Sequence, residues 1–254
     1  MDNSSSPSSA SSPPGDVNRS RRHVLAALPV LALTAAACGG AETTQTETET
    51  ETGTETATAV PQPRPETPQE ALEVLMEGNA RFAARTPAIR DVAEIDAIWS
   101  GGIGQNQEPF ATVLGCADSR LAPEIIFDQF VGNIFVVREA GNIADSPTNL
   151  GSLEFGQAVL GSKIILVLGH SDCGAVEAAF DDATPGGNIQ SIISAIRPGI
   201  AGAADLDEAI ARNVDAVIDR MRKDSPMLNE ADKTGVVKIV GAVYDIKSAS
   251  VRLL

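Results

Sequence analysis

The sequence predicts an α/β fold: a mainly parallel central sheet flanked by helices, with an N-terminal helical arm. Three observations predict it. Short apolar runs of strand length recur at 111–115, 134–137, 164–169, 236–243 and 251–254. Helical patterns fall mostly between them, at 150–160, 174–180, 189–196 and 205–223. Strands alternating with helices favour parallel pairing, because a parallel connection needs a crossover. The third observation is size: 254 residues, 43% of them hydrophobic, suffice for one domain with a real core and a tail.

The tail comes first. Residues 1–18 are rich in Ser and Pro without a period. Arg21-Arg22 then precede the apolar run Val24–Ala37, which at 14 residues is shorter than the ~20 a membrane-spanning helix needs. A basic flank, a short apolar centre and a small-residue exit predict an export signal over 1–37, and the paired arginines resemble a twin-arginine signal. Cys38 follows Ala35-Ala36-Ala37 in a box that resembles a lipoprotein cleavage site, although Ala35 stands where Leu is preferred. Lipidation at Cys38 is the expectation, and simple cleavage after the alanines is the alternative. Residues 38–66 are Thr, Glu and Pro with little to bury, a disordered tether. The protein is therefore expected at the cell envelope or periplasm, touching a membrane only through a lipid anchor.

The folded domain is expected over 67–254. Thr67-Pro68-Gln69-Glu70 reads as a helix start, with Thr as N-cap, Pro first and Glu third. Leu72, Leu75, Met76, Ala80 and Ala83 then recur at helical spacing. The domain is acidic, and the whole chain carries a formal charge of -15, which argues against nucleic acid as a partner. Three Cys make no disulfide framework in a chain this long. His23 lies in the signal, so His170 is the domain's only histidine, and a site needing two or three is excluded.

The chemistry-bearing residues gather at two strand ends, where sites form in open parallel sheets. One strand runs into Gly115-Cys116-Ala117-Asp118-Ser119-Arg120, another into Gly169-His170-Ser171-Asp172-Cys173-Gly174. If those strands are neighbours, about 5 Å apart, Cys116, His170 and Cys173 can converge on one point. Two thiolates and an imidazole suit Zn²⁺. A fourth place is then left to oxygen, from water, substrate or a carboxylate such as Asp118, as in catalytic zinc sites.

The pattern Cys116-x-Asp118-Ser119-Arg120 with His170-x-x-Cys173 resembles the zinc signature of β-class carbonic anhydrases. Supporting segments are Gln107-x-Pro109, Gly132-x-x-Phe135-Val136-Val137-Arg138, Ala140-Gly141-Asn142, Ser152-x-Glu154-Phe155 and Gly241-x-x-Tyr244-Asp245. The resemblance covers 67–254. It implies one Zn²⁺ per subunit on Cys116, His170 and Cys173, and reversible hydration of CO₂ to bicarbonate and a proton by a zinc-bound hydroxide. It implies a catalytic pair in which Arg120 holds Asp118 off the metal. It gives Gln107, Phe135 and Gly174 to substrate binding, the last by close approach at a helix start. It also implies a homodimer or homotetramer whose site lies near an interface. Five departures stand out: Ala117 for Ser, Ala175 for a second Gly, Glu139 for Asn, Phe155 for Tyr, and Val113 where a bicarbonate-inhibited subgroup has Trp. The last predicts no such trap and an open resting site at high pH. Two other functions compete: hydrolysis of carbonyl sulfide or carbon disulfide on the same ligands, and a non-enzymatic zinc-holding lipoprotein, which would not need the Asp118–Arg120 pair.

Overall fold

The computed structural model describes residues 64–88, 92–103 and 105–254. The expected export signal (1–37), Cys38 and the tether as far as residue 63 lie outside them. Among the described residues, no helix is long and apolar enough to cross a membrane.

Five strands form one sheet: β1 (Ala111–Gly115), β2 (Ile134–Arg138), β3 (Ile164–His170), β4 (Lys238–Asp245) and β5 (Ser250–Leu253), in the order β2-β1-β3-β4-β5. β1 to β4 are parallel, and β5 returns antiparallel on β4. Helices cover both faces, which is why β1 and β3 are apolar at nearly every position and buried throughout. Ile164, Leu166 and Leu168 join Val113 and residues of α1 (Pro68–Ala83) in one core. Ile165 and Val167 join Leu114 and residues of α7 (Leu206–Asp224) and α8 (Pro226–Lys233) in the other. This alternation is the two-residue period of a strand seen from both sides.

The helix start at Thr67 forms a full capping box: Thr67 Oγ1 accepts from Glu70 N–H, and Glu70 Oε2 accepts from Thr67 N–H. The expected arm is docked on its own domain. Buried Asn79 donates to the carbonyls of Ile126 and Ala249 and accepts from Val251 N–H, tying α1 to α3 (Pro123–Ile126) and β5. Gly78 lets the two backbones meet, since a Cβ there would stand 1.8 Å from Phe127 O. Gly78→Ala is expected to destabilise the domain by about 1–3 kcal/mol. An unchanged midpoint of denaturant unfolding would show that α1 does not seat in this way.

Boundaries differ from expectation in instructive places. β4 starts at Lys238 and ends at Asp245, two residues later than the apolar run suggests, because Val236 belongs to the turn after α8 and Val237 is buried before pairing begins. The helix expected at 150–160 starts at Pro147, capped by Ser146, and runs as α4 (Pro147–Glu154) into a π turn at Phe155–Val159. In that turn Gly156 faces β1 and β2, and a Cβ would come 2.4 Å from Thr112 Oγ1. Two helices follow β3 in the expected places, α5 (Gly174–Phe180) and α6 (Ile189–Ile196). The short α2 (Val92–Ile98) and α3 (Pro123–Ile126) and the eight-residue α8 (Pro226–Lys233) have no counterpart among the expected helices.

Candidate metal centre

β1 and β3 are parallel neighbours with Gly115 opposite Leu168, so Cys116 leaves the sheet beside the end of β3. His170 is the last residue of β3, and Cys173 caps α5 one tight turn later, with Asp172 at φ 53°. The ligand atoms of Cys116, His170 and Cys173 all lie within 4.8 Å of one another, and all three residues are buried. Among the described residues this is the group of acidic, Cys and His side chains that could hold a metal ion.

The imidazole is set for that role. His170 Nδ1 lies 2.9 Å from Ser171 O. A carbonyl only accepts, so Nδ1 carries the hydrogen, and in the neutral ring that leaves the lone pair on Nε2. Nε2 is buried and has no hydrogen-bond partner. A buried acceptor left unsatisfied is costly, and a bound cation is the simplest thing that satisfies it beside two sulfurs. Ser171 is itself braced: its N–H donates to Tyr244 O at 2.9 Å, and its Oγ accepts from Ile246 N–H at 3.0 Å. The two thiols act on each other. The Cys116 thiol is pulled down by its hydrogen bond with Cys173, and the Cys173 thiol is pushed up by the same bond and by burial. Cys116 loses its proton the more easily because Cys173 can donate to it, Cys173 resists because a second negative charge beside the first is expensive, and a cation is what stabilises two thiolates there. The donor set therefore fits zinc.

Asp118 stays out of the ligand group because Arg120 holds it. Arg120 Nε donates to Oδ1 at 2.9 Å, Nη2 to Oδ2 at 2.6 Å, and the Arg120 N–H to Oδ1 at 2.9 Å. This fork holds the Asp118 carboxyl well below the usual carboxylate range. Arg120 Nη2 also reaches Asp172 O at 3.2 Å, linking the loop of Cys116 to the loop of Cys173. Below it, Arg138 donates to Cys116 O at 3.1 Å and to Asp118 O at 2.6 Å.

The family model described as carbonic anhydrase matches residues 111–251, from β1 into β5. The chain belongs to the β-class carbonic anhydrases. It is 38% identical over 188 residues to carbonic anhydrase 2 of Mycobacterium tuberculosis, covering 70% of this chain and 89% of the relative. To the carbonic anhydrase of Mycolicibacterium smegmatis it is 37% identical over 195 residues, covering 73% and 93%. Among solved structures, the Coccomyxa β-carbonic anhydrase in complex with acetazolamide superposes with a TM-score of 0.57 at 27% identity, covering 72% of this chain and 86% of that one.

Within this carbonic anhydrase, the structure joins five expected site residues and separates two. Cys116, His170, Cys173, Asp118 and Arg120 form one cluster. Gly174 opens α5 beside it, and a Cβ there would meet nothing within 4 Å. Gln107 precedes β1 whereas Cys116 follows it, so a five-residue strand, roughly 17 Å long, lies between them. Phe135 pairs in register with Thr112, in the same far half of the sheet, and its ring lies 6.2 Å from that of Phe155. Glu139 engages Asn149 through its carboxylate (3.3 Å) and braces the cluster through its backbone, its carbonyl accepting from Ala117 N–H at 3.3 Å. Arg138 and Ser171 received no role from the sequence. Arg138 stood in a matching segment, but its reach across to the Cys116 loop depends on β1–β2 pairing.

Proposed function

We propose that this chain catalyses the reversible hydration of CO₂ to bicarbonate and a proton with zinc bound by Cys116, His170 and Cys173. The observation that carries the reading is the buried, unpartnered Nε2 of His170 grouped with two cysteine sulfurs, in a chain that belongs to the carbonic anhydrases. Bound zinc supplies Lewis acidity that makes water a nucleophile near neutral pH, a known property of carbonic anhydrase. The chain's own residues do the rest. Ser171 O fixes the tautomer and direction of His170. Arg120 keeps the Asp118 carboxylate turned to itself, so the position beside the three ligands stays open to a small linear substrate. Stopped-flow CO₂ hydration on zinc-quantified protein tests this, with carbonyl sulfide assayed in parallel. Turnover of carbonyl sulfide without CO₂ hydration would replace the reading by the hydrolase.

The same reading extends to a homo-oligomer. β2 is an edge strand, and Phe155 (43% exposed), Val159 (65%) and Val131 leave apolar surface beside it. Gln107 and Phe135 sit on that side, too far along β1 and β2 to serve their own Cys116. A second copy seated on this edge is the occupant that gives them a metal centre to serve. Phe155→Asp is expected to convert the assembly to monomers in light scattering and to lower CO₂ hydration with it. An unchanged mass would place the subunit contact elsewhere.

A further inference from the structure

Asn213 is a polar residue on an apolar stripe. It lies in α7 among Ile210, Val214 and Val217, and only 2% of its surface is exposed. A buried amide at such a position is explained by what it binds. Its Nδ2 donates to Gly141 O at 2.9 Å, across 72 residues of chain. Gly141 in turn donates its N–H to Cys116 Sγ at 3.2 Å. The α7 side chain is thus one backbone residue away from a ligand sulfur.

Gly141 needs such a hold. It sits in a single 3₁₀ turn, Ala140–Asn142, at φ 71° and ψ 19°, in the left-handed region that favours glycine. Space reinforces this, since a Cβ would stand 2.6 Å from Ile196 Cδ1. One turn bond, Asn142 N–H to Glu139 O at 2.8 Å, closes the segment from below. A glycine has wide conformational freedom, so the aim of its N–H depends on what fixes the two flanking peptides. The peptide that follows is held at both of its ends, the N–H of Asn142 by Glu139 O and the carbonyl of Gly141 by the Asn213 amide. α7 packs on β3 and β4, so the anchor belongs to the rigid body of the sheet.

We propose that Asn213 is a positioning residue for the metal centre: by holding the Gly141 carbonyl it keeps Gly141 in the left-handed conformation that aims its N–H at Cys116 Sγ. This rests on the zinc reading above. The N–H draws charge from the sulfur and sets the direction of its remaining lone pairs. The two other ligands are governed within their own loop, His170 through Ser171 O and Cys173 as the cap of α5. Cys116 is the ligand whose sulfur is steered by a distant helix.

The test compares full-length wild type with Asn213→Leu, which keeps the volume and removes the donor. Loss of packing order alone would lower thermal stability and leave the metal's electronic surroundings unchanged. The proposal expects more: zinc affinity, measured against a competing chelator, weakens about 10-fold, and the sulfur-to-metal charge-transfer band of the cobalt-substituted protein moves. If Asn213→Leu does not fold, Asn213→Ser, which keeps a shorter donor, is read the same way and is expected to show a smaller loss with a shifted band. Unchanged affinity and an unmoved band in the folded variant would overturn the role of Asn213 while leaving the metal site standing. A wild type that binds neither zinc nor cobalt would overturn the metal reading and this proposal with it.

Discussion

Cys116→Ser is expected to cost the protein its metal and its activity together, each by roughly 100-fold or more. The substitution is nearly isosteric at a buried position, so packing is conserved while chemistry changes. A serine hydroxyl does not ionise near neutral pH, and a neutral oxygen is a far poorer partner for zinc than a thiolate. The remaining donors, His170 and Cys173, are too few for a tight site. Metal content after dialysis against a chelator and stopped-flow CO₂ hydration are the two measurements, with circular dichroism to show the fold intact. A variant that keeps stoichiometric zinc and wild-type rate would refute the assignment of the ligands.

How much of this was legible in the sequence follows from what each feature depends on. The cluster was legible because both of its loops hang on fully buried strands. Ile164–His170 is apolar up to its last residue, and a run of that kind has one reading once the flanking turns are seen. Once those two strands are taken as neighbours, their parallel pairing brings Cys116 and His170 to the same edge. The clamp was legible because Asp118 and Arg120 are two residues apart. Asn213 was not, because its partner is 72 residues away, though an Asn inside the stripe Ile210, Val214, Val217 was a visible anomaly. The π turn at Phe155–Val159 was invisible for a similar reason: it answers to the bare Gly156 backbone against Thr112, a contact between elements. Gln107 depends on something the sequence of one chain does not carry. A strand is extended, and nine residues of separation place it at the other end of the sheet from its own Cys116.

Arg120→Ala is expected to lower CO₂ hydration roughly 10–100-fold while leaving the metal bound. The variant removes both guanidinium hydrogen bonds to Asp118 and leaves it the backbone N–H of residue 120 alone. With Arg120 gone, the Asp118 pKa rises toward the ordinary value of about 3.9, so the group is still an anion at neutral pH. It is then a free carboxylate next to a divalent cation, and it competes for the position that substrate needs. Raising the pH does not change the charge of Asp118, which is already fully ionised, and relieves the competition only as far as hydroxide displaces the carboxylate. The sign for stability is the reverse of a histidine's. A carboxyl held below its unfolded value contributes stability that is present above about pH 4 and lost as pH falls through the folded value. Wild type and variant should therefore differ in melting temperature near pH 7 and converge in strong acid, by a margin kept small by the exposure of Arg120. Added guanidinium ion separates the clamp from a general loss of structure, since a small cation that fills the vacated place should restore part of the rate. A rate insensitive to guanidinium, in a variant whose cobalt spectrum matches wild type, would mean that Asp118 never approaches the metal and that Arg120 serves only to join the Cys116 and Cys173 loops through Asp172 O.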